Sequence, residues 1–309
     1  MCDKTMHYSW FAVACAEAFG EYQVAVDCAT FNQLTDDATS ETLPCRMMPG
    51  GKRPFPTQGE IADGVYAVLS GGFHADYERI MVFHFPGPQG MCEAGACDRA
   101  LERAADDLHE RIEGDVGFRG TPSIEEQIQL CCAMVGIVGH GALDDDAHGT
   151  FLGMPSARNA CPWGDWRWGN PLSAALPNRC AIGHSEYAML PDTVGRKWKR
   201  HGATVDNRVV YLQAAASVWN CLRPDLAVEV VPGEWDVRPM HGGTTIPKCL
   251  TLMVSSAANK GEWLTEACGK AFWALTGKEL PPYQIPPLDS PMWFAFQQAA
   301  LTRLGEVLR

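Results

Sequence analysis

The chain has 309 residues, a formal net charge of −12, 46% hydrophobic residues and 20% charged residues. A chain of this length buries a substantial core without a disulfide or metal staple, and its negative charge disfavours non-specific attraction to nucleic acid or anionic membrane. No apolar run reaches the roughly 18 residues that a membrane-spanning helix needs, so no membrane partner is expected.

Eight lysines stand against ten tryptophans, twelve methionines and thirteen cysteines. Protein interfaces avoid lysine and favour aromatic residues and methionine, so the composition is that of contact surface. The first residues, Met-Cys-Asp-Lys-Thr-Met-His, lack the basic and apolar regions of a secretory signal. The expected setting is the cytoplasm or an intracellular particle, with cysteines mostly reduced; an odd cysteine count already forbids complete pairing within one chain.

Tyr8 to Phe31 reads as two apolar runs around Gly20-Glu21, and Tyr22 to Val26 alternates like a strand. Residues 32 to 58 turn polar and then rich in Pro and Gly, which predicts a long surface connection. Gln58 to Leu69 places Ile61, Val65, Val68 and Leu69 on one helical face, and Arg79 to Phe85 reads as a buried strand. From Cys92 to Ile112 apolar residues recur at steps of three and four, the clearest amphipathic helix. Thr121-Pro122-Ser123 opens another, expected to run to about Val138. Residues 139 to 180 show little periodicity and predict a long structured loop.

Val205 to Trp219 carries a second helical stripe, Leu226 to Val231 is a strand candidate, and Cys249 to Val254 reads as a further strand. Residues 258 to 276 predict a helix closed by Gly277 in the C′ position. Pro281 to Pro287 is a rigid extended connector, and a last helix starts at Ser290-Pro291 with Trp293, Phe296, Ala300, Leu301, Leu304 and Leu308 inward. The strands are few and do not alternate regularly with helices, which gives an α+β class: a helix-rich single body over residues 1–309 with a small number of short strands and long structured loops. Residues 281–309 are expected to strap back onto that body.

Gly139 to Gly149 is the most chemically crowded stretch. No cofactor is expected, except that His140, Asp144, Asp146 and His148 within this stretch could hold a divalent metal. The glycine-flanked His140 after an apolar run also resembles, over a few residues, the histidine motif of caspase-like peptidases. That resemblance implies His140 as base and Cys161 as nucleophile, although Asn159 to Trp163 lacks the strand and the Asp-x-Cys context that such a nucleophile has. Gly183-His184-Ser185-Glu186 resembles the His-x-Glu element of zinc deaminases, which implies His184 as ligand and Glu186 as proton shuttle. The Pro-Cys-x-x-Cys element that should follow is missing, since Cys221, Cys249 and Cys268 stand alone.

Trp163, Trp166, Arg167, Trp168 and Trp198 are the candidate partner-binding residues, because Trp and Arg dominate interface hot spots. Arg196, Lys197, Lys199 and Arg200 form the basic cluster through which alone nucleic acid would bind. The leading expectation is a self-assembling structural subunit, such as a viral coat or large-particle component, whose partners are copies of itself. The alternatives are an intracellular hydrolase with a Cys/His or His/Asp metal site and, after it, a zinc deaminase-like enzyme.

Overall fold

The computed structural model describes residues 4–39, 96–114, 123–152, 194–200, 203–231, 236–240, 242–255, 262–287 and 289–307. A π-helical turn, Thr5–Trp10, leads into α1 (Phe11–Phe19) and α2 (Tyr22–Thr39). Helices α3 (Ala96–Glu113) and α4 (Ile124–Leu152) follow. A hairpin of β1 (Lys197–Arg200) and β2 (Ala203–Asp206) precedes α5 (Asn207–Leu222). A second hairpin joins β3 (Val228–Val230) to β4 (Val237–Pro239), and α6 (Lys248–Ser255), α7 (Glu262–Thr276) and α8 (Pro291–Val307) complete the order. Both sheets are two-stranded and antiparallel, so the helix-rich α+β class holds.

Helix α4 is the axis of the body, with α2, α3, α5 and α8 packed around it. Its N-terminus is a capping box: the Ser123 N–H donates to Glu126 Oε2 at 2.7 Å, and the Glu126 N–H donates to Ser123 Oγ at 3.2 Å. Trp10, Phe11, Phe31, Tyr211, Trp219, Trp293 and Phe296 are fully buried in one continuous core. The described cysteines are free thiols, most of them buried, where they act as small apolar residues.

Several expectations fail locally. Tyr22 to Val26 is the first turn of α2, not a strand. Val24, Cys28, Phe31 and Leu34 are all buried, and this packing at helical spacing overrides the β-branched preference. Residues 32–39 continue that helix where a loop was expected, and Asn32, Gln33 and Thr35 are buried in it. Helix α4 does not stop at Val138 but runs on to Leu152 through Gly139, Gly141 and Gly149. Cys249 to Val254 is helix α6, started by a cap from elsewhere in the chain: the Lys248 and Cys249 N–H groups donate to Glu17 of α1 at 2.9 and 3.1 Å. Leu301 of α8 is exposed rather than inward.

The amphipathic helix near residue 100 and the β3 strand stand where the sequence placed them, and the α5 stripe does so from Asn207, with Val205 on β2 instead. Gly277 closes α7 with φ 69° and its N–H on Trp273 O at 2.7 Å. The extended run after it packs against the π-helical turn and α2. Tyr22 Oη donates to Glu279 O at 3.4 Å, Tyr8 Oη to Pro281 O at 2.7 Å, and Tyr283 Oη to Asp37 Oδ2 at 2.5 Å.

Candidate metal centre

Two helices each present a polar pair at i, i+4, the spacing that puts side chains on one face. Helix α4 carries His140 and Asp144; α2 carries Asn32 and Asp36. The faces meet because α4 has glycine where α2 comes closest. A Cβ on Gly136 would lie 2.5 Å from Phe31 Cβ and 2.7 Å from Cys28 O, and one on Gly139 would lie 2.5 Å from the Phe11 ring.

His7 enters from the π-helical turn, in which Met6 through Trp10 are all buried. Such turns frequently occur at functional sites. Its ring stacks on that of His140, with centroids 4.0 Å apart and planes 23° apart. Nδ1 of His7 lies 2.7 Å from Asn32 Oδ1, which only accepts, so Nδ1 carries the proton and donates it. Nε2 is then left to face carboxylates, 3.4 Å from Asp144 Oδ1 and 3.8 Å from Asp36 Oδ2. His140 Nε2 lies 3.3 Å from Asp144 Oδ2 and 3.7 Å from Asp36 Oδ1.

His7, His140 and Asp144 are fully buried, while Asp36 keeps 12% of its side chain exposed. Burial opposes protonation of His7, yet Asp144 and Asp36 outweigh it and raise its pKa. Burial, with the charge of His7 behind it, pushes His140 down to about 4. Burial would raise the Asp144 carboxyl, but the surrounding cationic and donor groups, both imidazoles among them, hold it well below the usual range. Nε2 of His7 is fully buried, and the Asp144 carboxylate is its nearest charged partner. Held protonated by the two carboxylates, His7 places a positive charge at this point, and a metal cation would take the place of its Nε2 proton.

The ligand atoms of His7, His140 and Asp144 all lie within 4.8 Å of one another, close enough to hold a metal ion. Imidazole nitrogen mixed with carboxylate oxygen suits a first-row divalent metal better than calcium or magnesium. Asn32 fixes the His7 tautomer from behind, as outer partners of ligand histidines usually do.

Of the residues singled out in the sequence, the structure brings His140 and Asp144 together. Asp146 and His148 continue α4, but their side chains lie outside the described residues. Cys161, Trp163, Trp166, Arg167 and Trp168 also lie outside them, as do His184 and Glu186. Trp198, Lys199 and Arg200 stand on β1, while Arg196 precedes it and Lys197 Nζ pairs with Asp206 Oδ2 at 3.0 Å. Sequence reasoning missed His7, Asn32 and Asp36. The available signal was His7 at the head of an apolar run; Asn32 and Asp36 sit in a polar segment that carries none.

No helix among the described residues is long and apolar enough to cross a membrane. The chain belongs to a family of unknown function, DUF6765, whose profile matches residues 2–295. No curated protein and no solved structure matches it.

Proposed function

We propose that this protein is a metal-dependent hydrolase whose centre is formed by His7, Asp36, His140 and Asp144. The observation that carries the reading is the buried convergence of His7, His140 and Asp144, whose ligand atoms all lie within 4.8 Å of one another. A divalent cation there would lower the pKa of a bound water toward about 7 and supply hydroxide at neutral pH. Asn32 orients His7, α4 orients His140 and Asp144 as one rigid pair, and Asp36 forms the rim that a substrate would meet.

The test is metal analysis of the purified chain, followed by turnover of activated carboxylic and phosphate esters after loading with Zn(II) or Mn(II). Stoichiometric metal and turnover that disappears in His140→Ala and Asp144→Asn are expected. A chain that binds neither ion, or variants that keep full turnover, would overturn the assignment.

Self-assembly is a second reading, supported by Trp273 and Phe294, each 59% exposed, in addition to the low lysine content. Light scattering at micromolar concentration tests it. A particle or stable oligomer supports a structural subunit, and a monomer removes that reading.

A further inference from the structure

We infer that the centre is dinuclear: His7 and His140 each ligate their own first-row divalent cation through Nε2, and the Asp36 and Asp144 carboxylates bridge the pair. The inference rests on the metal reading above and deepens it.

Each imidazole faces a different oxygen of each carboxylate. His7 Nε2 is nearest Asp144 Oδ1 and Asp36 Oδ2, whereas His140 Nε2 is nearest Asp144 Oδ2 and Asp36 Oδ1. This is the pairing of two carboxylates laid across two metals, with one nitrogen and two oxygens on each. Two metal–donor bonds of about 2.0–2.1 Å at a tetrahedral angle hold their donors roughly 3.4 Å apart. The four nitrogen–oxygen distances, 3.3 to 3.8 Å, fit that spacing.

The ring geometry separates one cation from two. An imidazole donates its lone pair within the ring plane, and these two planes are 23° apart with centroids separated by 4.0 Å. Planes stacked so nearly parallel do not converge at a point about 2 Å from both nitrogens, the length of a metal–nitrogen bond. A single cation would sit well out of the plane of at least one ring. Two cations about 3.5–4 Å apart, the usual spacing of two-metal sites, match the ring separation and leave both lone pairs in plane.

The full chain, stripped with chelator and dialysed against Mn(II), tests this by metal content and frozen-solution electron paramagnetic resonance. Two Mn(II) per chain with a spin-coupled spectrum are expected. His140→Ala should retain one Mn(II) on the His7 side and show the isolated six-line spectrum. Saturation of the unsubstituted chain at one Mn(II), with only the six-line signal, would overturn the dinuclear assignment and leave a mononuclear centre standing. No bound Mn(II) or Zn(II) at all would overturn both. The stoichiometry of the unsubstituted chain decides the matter even if the variant fails to fold.

Discussion

Replacing Gly136 by alanine perturbs the helix contact on which the centre depends. The added methyl would meet Phe31 Cβ at 2.5 Å, Cys28 O at 2.7 Å and the Asn32 nitrogen at 2.8 Å, and two of those three atoms are backbone. Comfortable carbon contacts begin near 3.5 Å, so α2 and α4 must part by about 1 Å. Overpacking of this kind costs about 1–3 kcal/mol, and the better helix propensity of alanine returns about 1 kcal/mol of it. The larger effect falls on the centre, because Asn32 and Asp36 move with α2 while His140 and Asp144 stay with α4. Metal affinity should fall at least tenfold, by the reasoning that a ligand displaced by about 1 Å no longer completes the coordination sphere. Urea unfolding and a Mn(II) titration of the same preparation read both quantities. A Gly136→Ala chain as stable as its parent and equal to it in metal affinity would refute the packing argument.

Asn32→Ala removes the acceptor that fixes the His7 tautomer, so metal affinity should drop about 10–100-fold with the metal count unchanged at saturation, measured by competition with a chromophoric chelator. Glu17→Ala removes the cap shared by the Lys248 and Cys249 N–H groups; a stability loss of about 1–2 kcal/mol in urea is expected, with metal affinity unaltered. Asp27 is mostly buried on α2, and burial raises its pKa to about 6 despite a hydrogen bond from Gln23 Nε2 at 2.8 Å. Its folded pKa is the higher one, so its stabilising contribution is complete below the unfolded value near 3.9 and is lost as pH rises through about 6. Asp27→Asn should therefore stabilise the fold at pH 7 to 8 by up to about 3 kcal/mol, and the gain should vanish toward pH 4. A constant difference between pH 4 and pH 8 in denaturant melts would show that Asp27 does not titrate as its burial requires.

The amphipathic elements were legible because one face meets water. Helix α3 alternates buried Cys97, Leu101 and Leu108 with exposed charge, so its period can be counted from sequence. Helices buried on several sides lose that signal. In the π-helical turn and α1 nearly every residue from Met6 to Phe19 is buried, and a run of that kind fits strand and helix equally well. Helix α6 was misread for a different reason: its N-terminal cap comes from Glu17, more than two hundred residues earlier. A local window contains no trace of it.

The centre was half legible for a related reason. His140 and Asp144 drew attention because they sit in a stretch dense in His and Asp, yet the i, i+4 spacing that makes them a ligand pair was hidden by the glycines around them. Glycine in a helical pattern normally lowers confidence in the helix. Here Gly136 is the position where α2 comes too close for any side chain, and Gly139 is the one where the Phe11 ring of α1 does. Gly136, within the part of α4 that the sequence does predict, is the glycine that brings Asn32 and Asp36 to it. The same close approach accounts for the polar residues from Asn32 to Asp36, which look like a surface connection in isolation. Asn32 and Thr35 are fully buried, Gln33 is nearly so, and only Asp36 reaches the rim. A polar segment in a helix–helix seam is tolerated where its groups are paired, as Asn32 is with His7 and Thr35 with the Phe31 carbonyl. The fold and the proposed chemistry therefore share one cause, the glycine-lined contact between α2 and α4.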